Sequence, residues 1–248
     1  MSHPTTAVLA LLLTATAPLV AQERFPRFAA DLGFGLGEMR HNTSGTNQDD
    51  DTGAAMFRLR FEGYSRQGFG GGVRIEGNAS RSDLFENTTF DEQRANTGSL
   101  FAHFTYRADA RGFAMPVRIG FLLQDYGLED QVTDDRLDAV TIGPQFEIAP
   151  EFYFARRRDF AVSLVTTLTI GAGPTWVHSD LTDDDYASST VFYGFEIGPR
   201  VHVGMVDFAV SYLFRGHSMD DSDTENSTFV RGYDSSFSGI LFTFGFAH

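Results

Sequence analysis

The chain closes on Gly239-Ile240-Leu241-Phe242-Thr243-Phe244-Gly245-Phe246-Ala247-His248, in which Ile240, Phe242, Phe244 and Phe246 alternate with Leu241, Thr243, Gly245 and Ala247. A period of two is the mark of a strand with two unlike faces. Chain ends fray in water unless something ties them down. A row of bulky side chains at this end therefore asks for an environment that rewards exposing them.

The same period runs back to Phe28. Phe28, Ala30, Leu32, Phe34 and Leu36 oppose Ala29, Asp31, Gly33, Gly35 and Gly37; Phe57, Leu59 and Phe61 oppose Arg58, Arg60 and Glu62; Phe69, Val73 and Ile75 oppose Gly72, Arg74 and Glu76. It recurs at Leu100–Tyr106, Met115–Leu123, Val140–Phe154, Phe160–Trp176, Val191–Val203, Val206–Phe214 and Ile240–Phe246. Several of these ten segments reach the roughly 9–11 residues of a tilted membrane-crossing strand, about twice the usual soluble strand. Long polar connections near 41–53, 80–97, 127–137, 179–190 and 216–232 alternate with short ones near 65–68, 108–114, 155–159 and 204–205. An up-and-down sheet with all its long loops at one end has this rhythm.

The polar face separates lipid from water as the outer solvent. It carries Arg58, Arg60, Arg74, Arg107, Arg118, Arg200 and Arg215 against Asp31, Glu62, Glu76, Glu147, Glu151, Glu196 and Asp207. A balanced set of this kind suits pairing across a closed interior. Glycines between them, such as Gly33, Gly72, Gly120 and Gly194, weaken a strand but leave room for long arginines. The apolar face has charges only at strand ends, at Glu38 and Asp125, and no segment remains to cover it. Lipid can cover it, provided that the sheet closes and pairs every backbone group. The predicted fold is all-β: a closed antiparallel up-and-down transmembrane β-barrel of about ten strands, with eight as the alternative, over residues 28–248.

Residues 7–21 form an apolar run of the kind found in a secretory signal. It is too short to span a bilayer, so residues 1–21 are expected to be removed near Ala21. Lys and Arg number 19 against 33 Asp and Glu, a net charge of −14, and there is no Cys. Such acidity repels nucleic acid, and the missing thiols exclude disulfides and thiolate metal sites. Most of the negative charge falls in the long loops.

In this pattern residues 28–248 resemble the small outer-membrane β-barrel proteins of Gram-negative bacteria. The resemblance implies outer-membrane localisation after signal cleavage, with outer-membrane lipid and lipopolysaccharide around the barrel. It implies assembly by a dedicated barrel assembly machinery that reads an aromatic residue at the end of the last strand. Here His248 holds the in-register position after Phe246, a departure from that habit.

The favoured function is non-enzymatic: a barrel with a side-chain-filled lumen and acidic extracellular loops, in a structural or surface-binding role. Asp49–Asp51, Asp183–Asp185 and Asp220–Asp223 make a cation or an extracellular ligand the candidate partner there. They lack EF-hand spacing, and solvated loops without a fixed metal are the expectation. A narrow porin-like channel is the first alternative, although barrels of this size are usually filled. A rim hydrolase, like an omptin protease or a lipid A deacylase, is the second. His178–Asp180 and His217–Asp221 sit where strands meet long loops, and a His–Asp pair can activate water or a hydroxyl. Short matches of this kind arise by chance in Ser- and Asp-rich loops, so no catalytic, metal or cofactor-binding residue is assigned and no cofactor is expected. His103 and His202 are expected to join the luminal charges.

Overall fold

A computed structural model describes residues 28–44, 49–80, 93–110, 112–130, 136–157, 159–180, 184–224 and 228–247. Residues 1–21, the cleavage position, Asp183 and His248 lie outside them. Eleven strands form one closed antiparallel sheet: β1 (Phe28–Thr43), β2 (Asp49–Tyr64), β3 (Phe69–Ser80), β4 (Gln93–Ala110), β5 (Phe113–Asp130), β6 (Arg136–Ile148), β7 (Glu151–Arg157), β8 (Phe160–Ser179), β9 (Asp184–Val203), β10 (Val206–Met219) and β11 (Tyr233–Ala247). β6 and β7 are two halves of one crossing, interrupted at Ala149-Pro150, and both pair with β5 and β8. A proline has no N–H for the ladder, but the inward row Gln145, Glu147, Ala149, Glu151 keeps its phase through the break. The barrel therefore has ten crossings in up-and-down order. β1 closes it against β11, from Ala29 opposite Ala247 to Thr43 opposite Tyr233.

The two faces are as expected. Leu32, Phe34, Leu36, Phe104, Ile119, Phe121, Leu168, Ile170, Phe208, Phe242 and Phe244 are exposed on the outside, while Asp31, Arg58, Glu62, Arg74, Glu76, Arg118, Glu147, Glu151 and Glu196 are buried within. The short connections are tight. One of them turns at Gly204, whose φ of 66° lies in the left-handed region that favours glycine.

The strands are longer than their apolar alternation. Asp49–Gly53, Gln93–Thr97, Gly127–Asp130, Asp184–Thr190 and Gly216–Met219, expected in loops, belong to strands. Along β1 the inward row runs Asp31, Gly33, Gly35, Gly37 and then Met39 and His41, while the outward row runs Leu32, Phe34, Leu36 and then Glu38, Arg40 and Asn42. The facing never changes, yet the polarity inverts near Gly37. β11 inverts in the same place, from Ile240 outside and Thr243 inside to Asp234 outside and Tyr233, Phe237 inside. At that level Gly37 faces Gly239. A Cβ on Gly37 would run into the Ser238 carbonyl and the Gly239 Cα, so the two backbones need glycine to come this close.

Candidate functional site

The lumen is the one place where all the strands converge, and it has two storeys. Next to the short turns lies the charge network. Arg118 on β5 binds Glu62 on β2 and, at 2.5 Å, Glu147 on β6. Glu147 also accepts from Arg74 on β3 and, at 3.4 Å, from the Thr169 hydroxyl on β8. Arg74 reaches Glu76 at 3.3 Å, and Glu76 meets Arg215 on β10 at 3.3 Å. Six strands are thus tied across the interior. A second set joins Asp31 to Arg60 at 2.5 Å, and Arg58 to Glu196 at 2.6 Å and to the Thr243 hydroxyl at 3.1 Å. His103 sits 3.7 Å from Glu62, and His202 is 2.9 Å from Asp207. Both histidines take the luminal role expected of them.

The partner of Glu62 differs from the hairpin neighbour that alternation suggests. In the β2–β3 register Arg74 stands opposite Arg60, and Glu62 stands opposite Gly72. Glu62 instead reaches across the lumen to Arg118 and accepts from the Tyr64 hydroxyl at 2.8 Å. Gly72 leaves the open side that this crossing needs.

Toward the long loops the lumen is filled by Met39, Met56, Tyr126, Val177, Tyr186, Leu213, Met219, Tyr233, Phe237 and Leu241, packed as one apolar cluster. Two histidines stack into it. His41 lies against Tyr126 and Tyr233, with ring centroids 5.8 and 5.2 Å away, and the Tyr126 hydroxyl is 2.7 Å from His41 Nδ1. His217 meets Tyr126 and Tyr233 edge-on at 5.0 and 5.5 Å. Sequence reading missed this plug. Its signal was the inward phase of Met39, Tyr126 and Tyr233, continued past the point where the outward residues turn polar.

The two candidate rim histidines do not meet. His217 is buried inside the plug, whereas His178 is exposed on the outer surface, 3.3 Å from Asp180 and 2.9 Å from Asp185. The barrel wall stands between them. His178 lies beyond the membrane-spanning part of β8: the strand from Phe160 to His178 rises roughly 45 Å at ordinary strand pitch and tilt, against an apolar band of about 25 Å. Its hydrogen bond with Asp185, helped by both carboxylate charges, raises its pKa above the ordinary imidazole value. Asp220 accepts from the Ser189 hydroxyl at 2.8 Å, and Asp221 accepts from the Gly232 N–H at 2.7 Å. Among the described residues no three His, Asp or Glu converge as metal ligands.

No family model matches the chain, and neither does any curated protein. Among solved structures it is similar to the outer membrane protease OmpT of Escherichia coli, with a TM-score of 0.57 and 10% identity over 92% of this chain and 99% of that one. It is also similar to the β domain of the Bordetella autotransporter BrkA (TM-score 0.40, 10% identity, 89% and 98% covered) and to Ail, the attachment invasion locus protein of Yersinia pestis (0.30, 11%, 89% and 99%). The first likeness establishes the fold and nothing of the chemistry; the other two superpose too loosely to carry an argument. The chain has the closed ten-stranded fold of the outer-membrane β-barrel proteins of Gram-negative bacteria.

Proposed function

We propose that the chain is an outer-membrane β-barrel, exported and cleaved near Ala21, whose own side chains seal its lumen and whose acidic outer rim serves a structural or surface-binding role. The observation that supports this is the double filling of the interior, by the Glu62–Arg118–Glu147–Arg74 network on one storey and by the Tyr126–Tyr233–Phe237 plug on the other. Ions crossing this lumen would have to break buried ion pairs and then enter packed apolar side chains. Both steps are costly. The outer-membrane lipid and lipopolysaccharide would meet the apolar belt, and the assembly machinery would read β11. A cation or an extracellular ligand would meet Asp220, Asp221 and their neighbours. Reconstitution in planar lipid bilayers tests the seal. The expected outcome is no steady conductance; a steady, ion-selective current would establish the narrow channel instead.

Hydrolysis is the second reading, favoured by the His178 contacts with Asp180 and Asp185 on a fold similar to that of a protease. Cleavage of peptides or deacylation of lipid A that disappears in His178→Ala would establish it. No such activity is expected, because His178 faces away from the lumen and the other candidate histidine, His217, is buried inside it.

A further inference from the structure

Between the charge network and the aromatic plug the lumen holds a cavity of about 50 Å³. Asn78, Gln145, Arg215 and His217 are in its wall. Gln145 and His217 are 3% and 6% exposed, yet Gln145 Nε2 and His217 Nε2 have no hydrogen-bond partner, and neither has Asn78 Oδ1 or the Oγ of Ser235, which is also in the wall. An unsatisfied buried polar atom costs about 1–3 kcal/mol, and the great majority of such atoms in folded proteins are paired. Four of them around one small space indicate an occupant. Truly empty cavities are apolar, and one water needs about 10–15 Å³. This one has room for a single small ion with a water or two.

The sign of the occupant follows from the wall. Arg74 and Arg215 both line the cavity, and Glu76 is the one carboxylate among the lining residues. Glu76 is already shared by the two guanidinium groups, at 3.3 Å each, which leaves it little to offer a cation. Arg215 is under-used. Its side-chain hydrogen bonds are 3.3 and 3.5 Å to Glu76 and 3.5 Å to the Phe214 carbonyl, whereas charge-assisted bonds of this type usually measure about 2.7–2.9 Å. Gln145 Nε2 can only donate. His217 Nε2 donates in one of its two neutral tautomers, and the Asn78 amide presents its N–H group when turned over. The wall therefore offers orphaned donors and, in Arg215, a guanidinium that its carboxylate holds only at long distance, while Arg74 is paired with Glu147.

We propose that this cavity is a binding site for one small monovalent anion of halide size, held by Gln145, His217 and Arg215. The anion satisfies the orphaned donors and shortens the reach of Arg215. The plug lies on one side of it and the ion-pair network on the other. Bromide is the probe, because its anomalous scattering distinguishes it from water. The full chain, refolded in detergent with sodium bromide as the sole halide and crystallised, should show an anomalous peak within hydrogen-bond reach of Gln145 Nε2. Gln145→Leu should weaken occupancy about tenfold, the usual effect of losing one hydrogen bond to a charged group. The thermal midpoint of the wild type should rise with bromide relative to gluconate at equal ionic strength, and that of Gln145→Leu should not. Should Gln145→Leu fail to fold, Asn78→Leu at the half-buried edge of the cavity serves the same comparison. Waters alone in the cavity, or the same bromide dependence in wild type and variant, would overturn the proposal.

Discussion

The belt of the barrel and its outer extension are built from the same strands with the same facing, yet they solve opposite problems. In the belt, Phe34, Leu168 and Phe242 point out and Arg58, Glu147 and Glu196 point in. In the extension, Arg40, Asn42 and Asp51 point out while Met39, Tyr126 and Phe237 point in. The apolar face follows whichever side lacks water. Lipid takes that part outside the belt, so the belt can keep charges within, provided that they pair. Past the lipid both sides of the wall would be wet, and the strands hold together there only by gathering an apolar core inside. A single β-sheet thus passes from an inverted barrel to an ordinary one within a residue or two of Gly37 and Gly239.

The largest effects should come from removing each storey's own filling. Glu147 is 1% exposed and holds both Arg74 and Arg118. Glu147→Ala leaves two guanidiniums buried without it and should cost about 3–5 kcal/mol, read as the urea midpoint of the protein folded in lipid vesicles. Phe237→Ala opens a hole in the plug and should cost about the same, 3–5 kcal/mol, as for other buried aromatics. The comparison breaks if Phe237→Ala is nearly neutral, for then the extension would be a loosely filled vestibule and not a core.

A smaller pair of effects separates the two outer surfaces. Leu168 is exposed in the belt and Asn42 is exposed on the extension. Leu168→Arg should cost about 2–4 kcal/mol if it sits near the bilayer midplane. Asn42→Arg should change stability by no more than about 0.5 kcal/mol. Equal losses in vesicle-folding equilibria would place lipid around the whole wall and remove the extension.

The sequence was readable wherever lipid set the pattern, and it misled where water did. Phe28–Leu36 and Ile240–Phe246 announce strands because one face is uniformly bulky and the other is small or charged. Asp184–Thr190 did not, since its outward Asp185, Ala187 and Ser189 resemble a loop, while Tyr186 and Thr190 are buried inward. Its strand character lies in pairing with β8, which composition does not reveal. The luminal charges were legible as a set and their partners were not. Alternation puts Glu62 and Arg74 on one face, but register and the curvature of a closed barrel decide that Glu62 meets Arg118. His178 and His217 looked equivalent as rim histidines. They fall on opposite faces of the wall, because the phase of β8 turns His178 outward and that of β10 turns His217 inward.

The smallest effect tests that last distinction. On the outer surface Asp185 and Asp180 hold the His178 imidazolium, so its pKa stands above the ordinary value. A group whose pKa is raised on folding lends its stability below the unfolded pKa, near 6.5, and loses it as pH climbs through the folded value. The wild type should therefore be favoured over His178→Ala in mildly acidic solution, with the difference fading above neutrality. Because the imidazole is exposed and screened, the change in folding midpoint will be slight and the titration itself is the better readout. Followed by NMR through the His178 ring protons, the wild type should titrate above the ordinary imidazole value, and Asp185→Asn should bring it back toward that value. High salt should do part of the same. A His178 signal that titrates identically in Asp185→Asn would mean that the contact does not persist in solution. The outer wall of the extension would then be an unstructured scatter of charges and not a surface with fixed pairs.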